Sequence, residues 1–328
     1  MLKIPYRMPI DGLMWWFAGV VALLLFLFWP TQRRRCLTHL AAAQRAFSRR
    51  DWPEYEKQFT LATRAAGSLK GHVQAHCLGQ LELLQAEADY WRGRASECAA
   101  HLEKAIEYTE RAGAPDRCMA LASAHRLWGE LHLDEEALDQ AEAHIRDALQ
   151  FDQTGGNEAL MIFDLQRLGD VLLERGHQTE AKAVIERCAA LERKVIHQGI
   201  QEKGKDPGQS AVISMSMPDL CLASGDYARA EKLFQEKVDY WSRLVTRPDN
   251  IDVTRYQFHL ARAQRKQGRL LESVATLRQA CETAERDYGS HHPRTARALR
   301  KLAVTLLAAG EHDEAKATAQ RADCIRAS

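Results

Sequence analysis

Three local patterns in this 328-residue chain carry residue types that could do chemistry. His72 and His76 stand four apart with Cys77 beside them, a spacing that puts both imidazoles on one face of a helix. A catalytic zinc helix of that kind needs a glutamate next to its first histidine and further ligands elsewhere. Neither is in view, so the pair reads as ordinary helix-face histidines. Gly199-Ile-Gln-Glu-Lys-Gly204-Lys205-Asp206 is one residue short of a phosphate-binding loop. Asp206 and Pro207 stand where the magnesium-binding hydroxyl and the following helix should begin, and a carboxylate there repels phosphate. His291 and His292 precede Pro293, where they cap a helix or face water. There is no nucleophile elbow and no carboxylate pair set apart from helix-surface charge. These residues predict no enzyme, no cofactor and no metal.

What must position any site is therefore the more informative question, and it begins at the N-terminus. Gly12 to Pro30 carry no charge. Nineteen helical residues rise about 28 Å, close to the roughly 30 Å hydrocarbon core of a bilayer. Trp15 and Trp16 near one end and Trp29 at the other suit the two interfacial belts. The run ends in Phe28-Trp29-Pro30 and lacks a small-x-small cleavage site, which favours an uncleaved single-pass anchor. Lys3 and Arg7 precede it, whereas Arg33, Arg34 and Arg35 follow with further arginines beyond. The positive-inside bias thus places the C-terminal part in the cytoplasm.

Removing Lys3, Arg7 and Asp11 from the 45 basic and 44 acidic residues leaves the rest of the chain formally neutral. No basic excess points to nucleic acid. The eight cysteines are scattered with no CxxC, as expected of reduced, mostly buried thiols. Low aromatic content and abundant Ala, Leu, Glu, Arg and Gln predict an all-α fold.

A repeat organises that helix. Turn positions Arg50, Gly93, Glu136, Gly176, Gly225, Gly268 and Gly310 recur at intervals of 43, 43, 40, 49, 43 and 42. Five residues after each sits a mostly small residue (Tyr55, Cys98, Ala141, Ala181, Ala230, Ser273, Ala315). Nine after it sits a mostly bulky one (Phe59, Leu102, Ile145, Ile185, Phe234, Leu277, Ala319). Bulky-small pairs such as Trp128-Gly129 and Leu168-Gly169 precede the turn. The pattern predicts two antiparallel helices per repeat, closely packed where residues are small, with a left-handed cap between them. Asp51-Trp-Pro53-Glu54, Pro115-Asp116 and Pro293 suit helix starts. Pro218 inside a first helix predicts a kink or a late start. The interval of 49 marks an inserted loop at 196–210, between repeats one to four (31–195) and five to seven (211–328).

The stretch Gly289-Ser-His-His-Pro-Arg-Thr-Ala-Arg-Ala-Leu-Arg-Lys-Leu-Ala, followed by Ala309-Gly310-Glu311-His312-Asp313-Glu314-Ala315, resembles the tetratricopeptide repeat family in its longer, kinesin-light-chain form. The resemblance covers roughly 36 to 325. It implies a right-handed α-solenoid of about seven antiparallel helix pairs, preceded here by the transmembrane helix and an 11-residue tail. It further implies that the first helix of each pair lines a concave groove which binds a peptide or helix of a protein partner.

Six residues before the turn, an inward position on that resemblance, the series runs Gln44, Glu87, Glu130, Asp170, Asp219, Arg262, Val304. Arg255, Arg262, Arg265, Lys266, Arg297, Arg300 and Lys301 cluster on the first helices of repeats six and seven. The expected partner surface is a dipolar groove, acidic in the middle and basic at its C-terminal end, which orients a partner. Pairing within helices, Arg126 with Glu130 and Arg167 with Asp170, is the competing use of those acids. The expected function is a membrane-anchored scaffold that recruits or assembles a complex. The alternative is an integral structural subunit of a membrane complex.

Overall fold

The computed structural model describes residues 32–113, 117–203, 216–243 and 252–327. Among the described residues there are fourteen helices and no strand. They are α1 (32–48), α2 (Trp52–Gly67), α3 (Gly71–Trp91), α4 (Ala95–Ala112), α5 (Arg117–Asp134), α6 (Leu138–Gly155) and α7 (Glu158–Arg175). There follow α8 (Gln178–Lys203), α9 (Met217–Ala223), α10 (Tyr227–Arg243), α11 (Val253–Lys266), α12 (Leu270–Tyr288), α13 (Pro293–Ala309) and α14 (His312–Ala327). Each odd-numbered helix opens a repeat and the even-numbered one folds back on it.

The turns explain why the chain folds back where it does. All seven turn positions have left-handed backbone: the five glycines lie between 75° and 88° in φ, and Arg50 and Glu136 adopt 55° and 62°. Glycine is free to do this, whereas a side chain there costs on the order of 1–3 kcal/mol. Behind the turn, the small positions Cys98, Ala141, Ala181 and Ala230 are fully buried. A Cβ on Gly129 would meet Cγ1 of Ile145 at 2.6 Å, and one on Gly169 would meet Cγ1 of Ile185 at 2.8 Å. The glycine of the first helix therefore makes room for the bulky residue of the second. This is how the repeated pattern of small and bulky residues becomes a packed hairpin.

Stacking these hairpins buries a string of apolar clusters. One joins Leu133, Ile145, Leu165, Leu172, Ile185, Phe234 and Leu260 through the middle repeats. Others serve the first repeats and the last two. The expected cap at Asp51 forms, accepting from the Glu54 amide at 3.3 Å, and Asp252, not singled out in the sequence, caps α11 by accepting from the Arg255 amide at 3.1 Å. Pro218 sits in the first turn of α9, which begins only at Met217 and is seven residues long. Residues 196–203, expected within a loop, instead prolong α8. Lys, Glu and Gln are good helix formers and extend a helix past the point where its repeat signature stops. Residues 204–210 lie outside the described residues.

Among the described residues no helix is long and apolar enough to cross a membrane. The expected span at 12–30, with Trp15, Trp16 and Trp29, lies outside them. Arg33, Arg34 and Arg35 occupy the first turn of α1 and are exposed.

Candidate functional site

The array does not remain open. Helix α13 of the seventh repeat packs against α5 of the third, so the coil closes on itself. Its N-terminal segment carries the contacts. His292 caps α13, its Nδ1 accepting from the Arg294 amide at 3.0 Å, and its Nε2 lies 2.7 Å from the Tyr90 carbonyl at the end of α3. Both contacts require one tautomer, with the hydrogen on Nε2. Burial keeps this imidazole neutral and pushes its pKa down to about 4. A Cβ on Gly93 would touch the His292 backbone at 3.3 Å, so glycine also permits this close approach. Tyr288 stacks on Trp91 at 5.1 Å, and Arg50 lies over the same Trp91 ring at 4.9 Å while donating to the Asp287 carbonyl.

Arg294 is the centre of this closure. It is only 5 % exposed. Its guanidinium bonds both oxygens of Asp134 at 3.2 Å, Asp252 at 2.9 Å, Glu130, and the Tyr288 hydroxyl at 3.2 Å. Tyr90 donates its hydroxyl to the same Asp134 at 2.8 Å. One turn further along α13, Arg297 reaches Glu174 at 2.6 Å and Lys301 reaches it at 3.0 Å. Burial opposes the charge on Glu174, but Arg297 and Lys301 outweigh it and hold the carboxyl down at about 2.

A second cluster lies beside the first. Arg255 of α11 grips both oxygens of Asp170 at 2.6 and 2.8 Å and also reaches Asp219 at 3.1 Å. His259 adds a 3.0 Å contact to Asp170. Burial disfavours the Asp170 charge, yet Arg255 and His259 keep its carboxyl well below the usual range. Arg167 links the two clusters, meeting Glu130 at 2.6 Å and Asp170 at 3.5 Å.

The expected dipolar groove is thus arranged differently from its sequence reading. Glu130, Asp170, Asp219, Arg255 and Arg297 are buried in ion pairs: Arg255 holds Asp170 and Asp219, Glu130 meets Arg294 and Arg167, and Arg297 meets Glu174 and Asp134. Of the two expected intrahelical pairs, Arg167 with Asp170 forms. Arg126 instead bonds Asp164 at 2.6 Å and also Asp152. Glu87 stays half-buried, and desolvation raises it to about 7 against the pull of Arg126. Arg294, Asp134, Glu174, Asp252 and Tyr90 were not legible as partners, because Arg294 and Asp134 lie 160 residues apart in sequence. One weak signal existed: acids stand two residues before the turn in repeats three and four, Asp134 and Glu174.

The closure leaves one face of the interior open. A cavity of about 330 Å³ between α11, α13 and the ends of α5 and α7 is lined by Glu136, Glu174, Phe258, Arg262, Arg265, Arg300, Lys301 and Val304 among others. Four expected groove residues, Arg262, Arg265, Arg300 and Lys301, meet here. Arg300 pairs with Glu136 at 3.0 Å and donates to the Asp134 carbonyl at 2.6 Å, and Arg262 donates to the Leu173 carbonyl. Arg265 is exposed and makes no ion pair among the described residues. Val304, six residues before its turn, is 58 % exposed. Such a cavity sets apolar side chains such as Phe258 and Leu277 among cations, a geometry able to hold a ligand.

Comparison with known proteins agrees with this architecture. Residues 252–322 match the sequence model of the tetratricopeptide repeat family, and the described residues form a TPR-like helical solenoid. No curated protein matches it significantly in sequence. The Rap conjugation gene regulator of plasmid pLS20, solved in complex with the Phr* peptide, is similar with TM-score 0.57 and 14% identity over 88% of this chain and 72% of that one. The apo form of RapI gives TM-score 0.56 and 8% identity, covering 89% and 97%. Aspartyl phosphate phosphatase F from Bacillus subtilis gives 0.54 and 14%, covering 93% and 75%. At these identities the likeness is one of fold.

Proposed function

We propose that this protein is a membrane-anchored interaction module which holds a short partner segment in the cleft between α11 and α13, and so recruits or assembles a complex. The observation that carries the proposal is that exposed Val304 and Arg265, which makes no ion pair among the described residues, line one cavity in which Glu136 and Glu174 are already paired with Arg300 and Lys301. That combination suits a segment with one apolar anchor residue and a nearby carboxylate. A buried apolar contact supplies affinity, and the arginine fixes orientation. The shared fold with a pLS20 regulator seen bound to its Phr* peptide supports a peptide as the occupant.

The uncharged run at 12–30 and the arginines after it support an anchor with the repeats on the cytoplasmic side. Tethering confines the module to the bilayer surface and raises the local concentration of whatever it holds. No chemistry of its own is required.

A photo-crosslinking amino acid at Val304 tests the cleft, with the same group at Leu271, which is 72 % exposed on α12, as the reference. The expected result is a discrete adduct from Val304 that disappears when Arg265→Glu is added. Equal labelling from both positions would remove the proposal. Protease protection of a C-terminal tag tests the orientation, a protected tag in right-side-out membranes being expected.

A further inference from the structure

Repeat three holds a cluster that the interior network does not use. His125 on α5 and His144 on α6 bring their Nδ1 atoms to 3.1 Å. Asp147, three residues after His144 and so on the same helix face, places Oδ2 at 3.4 Å from His125 Nδ1. The ligand atoms of all three lie within 4.8 Å of one another, and all three side chains are half-buried.

The rings are held in place by their neighbours. His144 lies flat against Trp128 at 4.9 Å with 5° between the planes, and against His132 at 5.4 Å with 13°. His125 leans on Phe151 at 5.5 Å. Ligand orientation is therefore set by packing before anything binds, the condition that separates a built site from a chance encounter.

The distances suit a particular ion. A tetrahedral centre with ligand bonds of about 2.0–2.1 Å has ligand-to-ligand edges of about 3.3–3.4 Å. The two observed edges are 3.1 and 3.4 Å. A calcium site would need six or more oxygens, and magnesium an oxygen octahedron. Two imidazoles and a carboxylate instead suit a late first-row divalent ion. An i, i+3 ligand pair from one helix facing a ligand on its neighbour is also how helical bundles build metal centres.

We propose that His125, His144 and Asp147 bind one divalent ion of the zinc class, with the remaining coordination position open to water. The ion staples α5 to α6 across the turn in which Glu136, not glycine, adopts the left-handed backbone.

Cobalt(II) is the probe, added to the detergent-solubilised full chain. One equivalent is expected to give visible d–d absorption without a thiolate charge-transfer band, and to quench the fluorescence of Trp128, which stacks on a ligand. Trp128→Phe should remove the quenched component while leaving the absorption. His144→Gln and Asp147→Asn, the latter at a partly exposed carboxylate that leaves packing intact, should each weaken binding at least tenfold. Zinc should raise the melting temperature of the wild type but of neither variant. Absent stoichiometric absorption, a thiolate band, or unchanged binding in both variants would each overturn the proposal.

Discussion

The interior of this coil is governed by single charged side chains, and Arg294 shows how. Itself buried, it pairs with Asp134, Glu130 and Asp252 at once and shares those acids with Arg167 and Arg297. Removing one partner of such a network leaves the others charged and buried, typically at a cost of about 3–5 kcal/mol. Arg294→Ala should therefore lower the denaturant midpoint by an amount in that range, whereas Arg278→Ala, which breaks an exposed pair with Glu314, should cost no more than about 1 kcal/mol. Equal losses would show that the buried network is not what holds the coil shut. His292 makes a second residue-scale prediction. Its folded pKa is depressed to about 4 from an ordinary 6.5, so the unfolded chain binds the extra proton first. The stability it confers is complete above pH 6.5 and is lost as pH falls toward 4. His292→Asn, which retains a helix-capping side chain, should flatten the pH dependence of unfolding across that window. An identical slope in the variant would assign the titration to other groups.

At the scale of the element, each hairpin depends on a size complement between facing helices. Gly129 and Ile145 form one such pair, and Gly169 and Ile185 repeat it one repeat later. Gly129→Ala should destabilise by roughly 1–3 kcal/mol, since the added methyl falls inside the radius of Ile145. Combining it with Ile145→Ala should cost less than the two changes separately, because the second makes room for the first. Strict additivity, measured by urea unfolding of all four proteins, would deny the contact. Substitution of the buried pair partner alone, Ile145→Ala, should cost about 2–5 kcal/mol.

The whole molecule is a solenoid that meets itself. Repeat proteins usually contact only their nearest neighbours, and their stability is then a sum of local terms. Here Arg294, Arg297, His292 and Tyr288 add contacts between repeats far apart in the chain. Closure should make unfolding more cooperative than in an open array and hold the molecule compact. In the double variant Arg294→Ala, Arg297→Ala, X-ray scattering should report a larger radius of gyration while far-ultraviolet circular dichroism stays helical. An unchanged radius would mean that apolar stacking alone fixes the curvature. The cavity beside α13 exists only because the coil closes, so the same variant should also lose crosslinking from Val304.

Much of this was legible in the sequence. Local rules gave the helices, the seven turns and the buried small positions, because a left-handed cap and a tight helix pair are decided within about forty residues. The inward register of Glu130, Asp170 and Asp219, which are buried, was implied by the family resemblance. Beyond the local Arg167–Asp170 pair, which cation each acid meets was decided only by tertiary structure. A small rotation per repeat, accumulated along the array, brings α13 to α5 across some 160 residues. No local pattern encodes that sum. The same holds for His125, His144 and Asp147, whose ring planes and convergence come from the packing of α5 on α6. The chain's own residues specified the hairpins; their stacking angle chose the contacts.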